Sequence, residues 1–108
     1  MPEIPDDPIA FIQGCVRDRK IHWTYHVNMR LAGRYITRTE IVGSIITYEI
    51  VESYPEDKYL PSYLVLVEAS FHVLFAADVM GDNVRVVTAY RPNADEWQSD
   101  LRTREREE

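Results

Sequence analysis

The chain has 108 residues, 45% of them hydrophobic and 11% aromatic, with a net charge of −6. That is one domain's worth of sequence, rich enough in apolar residues to fold around a core without disulfides or a metal. No apolar run approaches the roughly 20 residues of a membrane-spanning helix, so collagen-like, disordered, disulfide-scaffold and membrane classes are excluded.

The single cysteine, Cys15, cannot form an internal bridge, and a reducing, cytoplasmic setting is expected. The acidic, proline-containing N-terminus is the reverse of a secretory leader. Charge is uneven along the chain. Between Arg17 and Arg38 six cations face Asp18 alone, a local excess of five that leaves eleven excess negative charges on the rest. This fits one basic surface on an acidic body, or simply solvated helix faces. The overall acidity argues against a nucleic-acid partner, the basic segment for one.

In chain order, Asp7-Pro8 reads as an N-cap followed by proline at the first helical position. Ile9, Ile12 and Val16 then predict a helix to about Lys20, with Cys15 beside its apolar stripe. Thr24 predicts the cap of a second helix that turns Val27 and Leu31 inward and closes near Gly33. Thr37 and Glu40 form a capping box. The helix it opens is predicted to carry Ile41, Val42, Ile45, Ile46 and Tyr48 on one wide apolar face.

After Tyr48 the period becomes extended, predicting strands over 49–54, 63–67, 71–78 and 84–90, with a loop at 55–61 and a hairpin turn at 80–83. Connections this short exclude parallel crossovers among the last three strands. Asn93 and Glu96 form a second capping box, predicting a C-terminal helix around Trp97 and Leu101, and the charged residues 102–108 are expected to fray. The predicted fold is a single α+β domain over 1–108: three helices preceding a four-stranded antiparallel meander, then a short C-terminal helix. Its edge strands, β-branched and carrying little charge, predict pairing with another chain.

Few residues could carry chemistry. His26, Arg30 and Arg34 recur every four positions, which on a helix forms a stripe; the bland reading is an exposed basic face. His22 and His26 have the spacing of a zinc pair, but Thr24 between them caps the helix and no further ligand completes a set, so no metal or other cofactor is expected. His72 lies in an apolar strand, where a half-buried, hydrogen-bonded histidine is the usual case. Arg85, between Val84 and Val86, must reach the sheet edge or an anion: Asp78 or Asp82 across the hairpin, or a phosphate. Strict alternation puts Arg85, Val87 and Ala89 on one face and Val84, Val86, Thr88 and Tyr90 on the other, separating Arg85 from Tyr90 unless a bulge intervenes.

The string Tyr25-His26-Val27-Asn28-Met29-Arg30-Leu31-Ala32-Gly33-Arg34-Tyr35-Ile36-Thr37 resembles the opening motif of domain-of-unknown-function family 4258, a group of small bacterial proteins. The strand and acidic loop at 49–57, and the segments at 63–66, 72–73 and 86–92, are similar to its later parts, so the likeness covers about residues 21–92. Tyr35 departs from the pattern, which has glycine or another small residue there. The resemblance implies a compact fold like the RelE-, BrnT- and barnase-type nuclease toxins, whose members cleave RNA without a metal and often pair with an antitoxin. This is analogy at the level of fold.

Two functions stay open. In a metal-independent ribonuclease or toxin, histidine would move protons and arginine would hold the phosphate. His26, Arg30, Arg34 and His72 would form the site, with Arg85 as an outer candidate and His72 serving as acid if its strand face turns toward the second helix. The alternative is a non-catalytic module for a protein partner or small ligand. Expected partners are thus RNA, an antitoxin-like protein or a second copy of the chain, and no membrane.

Overall fold

The computed structural model describes residues 3–105, and of His26 and Arg30 the backbone only. The order is α1 (Pro8–Arg17), β1 (Ile21–Trp23), α2 (Tyr25–Gly33), α3 (Arg38–Gly43), a 3₁₀ turn (Ile45–Thr47), then β2 (Glu49–Tyr54), β3 (Ser62–Val67), β4 (Phe71–Asp78) and β5 (Asn83–Tyr90). The strands form one five-stranded sheet in the order β1-β5-β4-β3-β2.

The predicted meander is present as β2 to β5, all antiparallel. What periodicity missed is β1, three residues paired parallel to β5 through Ile21–Val84, His22–Arg85 and Trp23–Val86. A three-residue strand is too short to display a period, and its pairing through Arg85 joins it to a strand sixty residues away. The sheet is therefore mixed, not purely antiparallel.

Helix starts follow the expected caps. Asp7 Oδ1 accepts from Ala10 N–H at 3.2 Å, Thr24 Oγ1 from Val27 N–H at 3.1 Å, and Thr37 Oγ1 from Glu40 N–H at 3.0 Å. Helix ends do not all follow. α1 stops at Arg17, short of Lys20, because Arg19 turns left-handed at φ 61° and Lys20 N–H bonds back to Cys15 O at 2.8 Å. Tyr35 closes α2 in the same way, at φ 56°, with Ile36 N–H on Leu31 O at 3.1 Å. Both are Schellman closures with a non-glycine residue where glycine is favoured.

α3 lasts six residues before tightening into the 3₁₀ turn, so the wide apolar face predicted for it is broken: Ile41 and Tyr48 are buried, but Ile46 is 94% exposed. The C-terminal helix is absent. Asn93 makes a single turn, accepting from Glu96 and Trp97 N–H, and the chain then folds back so that Trp97 bridges Arg104. Nor do residues 102–105 fray, since Arg102 pairs with Glu49 and Arg104 with Glu52; residues 106–108 lie outside the described residues.

The two faces of the sheet are covered differently. Phe71, Val73, Phe75, Ala77, Val84, Val86 and Ala89 face the helices and pack with Ile12, Val16, Val27, Leu31 and Ile41 in the main core. Cys15 is buried among them, as its place beside the stripe predicts. The other face is crossed by residues 93–105, which we call the strap. The edges are also better protected than expected: β1 has three residues, while β2 has a bulge at Val51 and presents Glu49 and Glu52 to the strap's arginines, features that blunt edge pairing.

Candidate functional site

β5 carries a bulge. Its register with β4 runs Tyr90–His72, Ala89–Val73 and Thr88–Leu74, then jumps to Val86–Phe75 and Arg85–Ala76, leaving Val87 unpaired. One extra residue reverses the alternation on one side of it. Ala89 thus joins Val84 and Val86 in the core, while Arg85, Thr88 and Tyr90 share the face of His72. The separation of Arg85 from Tyr90 expected from strict alternation is overturned.

The same parity turns His72 away from α2, not toward it. His72 is fully buried beneath the strap, with the Trp97 ring edge-on at 4.4 Å and the Tyr90 ring at 5.4 Å. Its Nε2 is 2.7 Å from Leu101 O and its Nδ1 is 3.3 Å from Tyr90 Oη. A carbonyl oxygen only accepts, so Nε2 carries the proton and donates it to Leu101 O. Nδ1 is then the acceptor for the Tyr90 hydroxyl. Desolvation lowers the His72 pKa, partly countered by the bond to Leu101, so the neutral ring is favoured.

Beside this chain of bonds lies a second polar group. Arg104 forks onto Glu52, Nε to Oε2 at 2.9 Å and Nη2 to Oε1 at 3.0 Å, and Tyr54 Oη also donates to Glu52. The Arg104 hydrogen bond is the main cause that holds Glu52 below its ordinary pKa. Burial pushes the Tyr54 and Tyr90 phenols up, keeping both protonated. The Arg104 guanidinium lies 4.3 Å over the Trp97 ring, a cation–π contact that seats the strap. One sheet face thus gathers His72, Tyr90, Glu52, Tyr54 and Arg104: proton donors, a proton acceptor and a cation within a partly water-excluded site.

The residues singled out in the sequence fare unequally. His72 is in the cluster. Arg34 is not: its guanidinium donates to Ala89 O at 2.5 Å and to Thr88 Oγ1 at 3.5 Å. It therefore fastens α2 along the part of β5 that short β1 leaves open. Arg85 takes its near partner, Asp78, at 3.3 Å. The side chains of His26 and Arg30 lie outside the described residues; their backbones are in α2. His22 is in β1, before the Thr24 cap, and so shares no helix turn with His26. Among the described residues no group of three His, Cys, Asp or Glu is placed to hold a metal ion. Glu52, Tyr54, Tyr90 and Arg104 were missed as site residues. The one signal available was the run of charge after Leu101, which reads as a tail unless its partners on β2 are known.

The same face continues beyond the strap. A cleft of about 680 Å³ is lined by Ser62, Ala76 and Arg85 of the sheet, by Lys58 and Tyr59 of the β2–β3 loop, and by Thr24.

No helix is long and apolar enough to cross a membrane among the described residues. No curated protein matches the chain, and no solved structure does. A family model described as a domain of unknown function, DUF4258, matches residues 23–91. That span covers β1 at its last residue through the end of β5, and it leaves Trp97, Leu101 and Arg104 outside the matched segment. Spanning well over half of the sequence, the match places this chain in the DUF4258 family.

Proposed function

We propose that the domain is a metal-independent endoribonuclease of the toxin type and that its reactive groups are those gathered under the strap, not the α2 stripe. The observation that carries this reading is the relay Tyr90 Oη to His72 Nδ1, with the opposite ring nitrogen committed to Leu101 O, beside the ion pair of Arg104 and Glu52. Tyr90 is half-buried and reaches solvent; His72 acts through it. In the reaction the RNA 2′-oxygen attacks the adjacent phosphorus. Its proton passes to Tyr90 Oη as the Tyr90 proton moves to His72 Nδ1. The bond from phosphorus to the 5′-oxygen breaks, and that oxygen takes a proton from Tyr54, leaving a 2′,3′-cyclic phosphate and a free 5′-hydroxyl. The proton held by His72 then returns through Tyr90 and solvent to the Tyr54 phenolate, which restores the site. Arg104 offsets the charge that grows on the phosphorane, and Glu52 holds Arg104. The likeness to compact RelE-, BrnT- and barnase-type toxins, a cytoplasmic setting for the buried thiol of Cys15, and an antitoxin-like partner belong to the same reading.

The test is a labelled single-stranded RNA incubated with the protein in EDTA. The wild type is expected to cleave it to cyclic-phosphate products. A 2′-deoxy residue at the scissile position should block the reaction, and Tyr90→Phe should slow it by about 10²–10⁴, the usual contribution of a proton-transfer group. No cleavage by the wild type, or equal cleavage by Tyr90→Phe, overturns the reading. A second reading, a non-catalytic module for a protein partner, a second copy or a small ligand, is favoured by the complete burial of His72, which suits a group that anchors the strap. Absence of cleavage leaves that reading in place.

A further inference from the structure

We infer that the uncovered cleft on the strap face is a nucleotide subsite, holding a base of single-stranded RNA next to, and not at, the bond that is cut. The inference rests on the ribonuclease reading for its link to the cluster, but its own grounds are separate. The cleft measures about 680 Å³, within the range of small-molecule sites. Its walls combine an aromatic, an aliphatic and two cations, all open to solvent: Tyr59 is 78% and Val87 47% exposed, and the Lys58 and Arg85 side chains reach its rim. Val87 is available because it is the bulged residue, free of a partner in β4. An exposed aromatic between cations is the composition that binds single strands, the ring stacking on the base and the cations taking phosphate.

Charge at the cleft favours this occupant despite the acidic chain. Arg85 uses one Nη on Asp78, at 3.3 Å, which leaves the rest of its fork for a phosphate. Asp78 is itself occupied, accepting from Gly81 N–H at 2.8 Å. Lys58 lies over one face of the Tyr59 ring at 5.3 Å, so a base stacks on the other, exposed face and the ammonium stands beside it for a phosphate. The remaining carboxylate, Asp57, lies on the loop wall, where it offers an acceptor to base N–H groups. β1 borders this part of β5, with His22 in register with Arg85.

Position links the cleft to the cluster. Register runs Arg85–Ala76–Ser62–Tyr54 across β5, β4, β3 and β2. From Arg85 to Tyr54 is three strand spacings, about 14 Å, too far for one nucleotide to occupy both. A strand lying along this row with one base on Tyr59 presents a neighbouring phosphate to Tyr54 and Arg104.

The experiment uses the full chain and a fluorescent oligoribonucleotide carrying 2′-O-methyl groups, which binds but cannot be cut. Wild type is expected to bind, while Tyr59→Ala and Arg85→Gln each bind about tenfold more weakly. Both changes lie at exposed positions, and unchanged thermal unfolding of the variants verifies the fold. With a cleavable RNA, the same two variants are expected to raise KM with kcat kept. Weakened binding without any cleavage by the wild type upholds the subsite and overturns the catalytic reading. Cleavage that Tyr59→Ala and Arg85→Gln leave untouched, with binding also unchanged, overturns the subsite and upholds catalysis. A wild type that neither binds nor cleaves overturns both.

Discussion

The two faces of β4 form two kinds of interior from one strand. Phe71, Val73, Phe75 and Ala77 point into the helix layer and are fully buried among aliphatic and aromatic neighbours. His72, between them in sequence, is as deeply buried on the other side, but its neighbours are Tyr90, Trp97 and a backbone carbonyl. The helix face depends on removing apolar area from water, which has no direction. The strap face depends on a few directed bonds and on Arg102 and Arg104 pairing with β2. Those pairs are partly exposed, and exposed ion pairs contribute little. The strap should therefore detach while the helix face stays folded. Apolar packing and a directed polar network thus occupy opposite sides of one sheet.

The sharpest way to break this comparison is to damage the helix face. Phe75→Ala empties a fully buried position that packs against Tyr48 at 5.6 Å between ring centroids. It is expected to lower global stability by about 3–5 kcal/mol, read from the midpoint of chemical denaturation. Trp97→Ala tests the other side. Its cost is capped by the free energy of docking the strap, since the strap can leave while the core remains; roughly 1–2 kcal/mol is expected on that ground. Hydrogen exchange separates the two: amides of 93–105 lose protection in Trp97→Ala while those of Val73 and Phe75 keep theirs. Equal loss in both regions would mean that the faces form one cooperative unit.

The same contrast explains what could be read from the sequence. The helix face was legible because caps and periods are local: Asp7, Thr24 and Thr37 bond to amides three residues on, and the strands of the meander alternate. The strap face was not, because its order comes from partners far apart in sequence. Arg104 finds Glu52 across 52 residues and His72 finds Leu101 across 29, so Trp97 and Leu101 looked like the stripe of a helix. The bulge at Val87 left no compositional mark, and it alone decides that Arg85 and Tyr90 share a face. Of the foreseen site residues whose side chains are described, only His72 stands in the cluster. Arg34 had the right chemistry but is spent on holding α2 to β5.

Acid should act on the strap face first. Desolvation holds the His72 pKa below 6.5, the ordinary histidine value. The unfolded or undocked state therefore binds more protons than the docked one as pH falls from 6.5 through the folded-state value. The stabilisation is complete above 6.5 and is lost over that interval. Glu52, held below 4.5 chiefly by Arg104, loses its contribution in the same sense at lower pH. Trp97 is the natural reporter, and Trp23→Phe leaves it as the sole indole. Its emission is expected to shift to the red as pH drops below 6.5, and His72→Gln should remove that first step. The step is smaller than the loss of the indole itself because one bond is weakened and not the whole contact. An emission unchanged through this interval would show that the strap does not depend on the neutral ring.

The smallest effect sharpens the other half of the comparison, since it concerns the helix layer but not its core. Tyr35 sits at φ 56° and is 85% exposed, so its ring gains little from burial while its Cβ strains the left-handed turn that ends α2. The closure itself is sound, with Tyr35 N–H on Ala32 O at 3.5 Å and Ile36 N–H on Leu31 O at 3.1 Å. Tyr35→Gly keeps both bonds and removes the strain. Against this stands the larger entropy of glycine in the unfolded chain, so the net gain should be about 0.5–1 kcal/mol. Tyr35→Ala, which retains the Cβ, is the control and should change little. Chemical denaturation of the three proteins side by side reads the difference. A gain in Tyr35→Gly that Tyr35→Ala does not share assigns the cost to the backbone, whereas equal losses in both would mean that the exposed ring makes a stabilising contact.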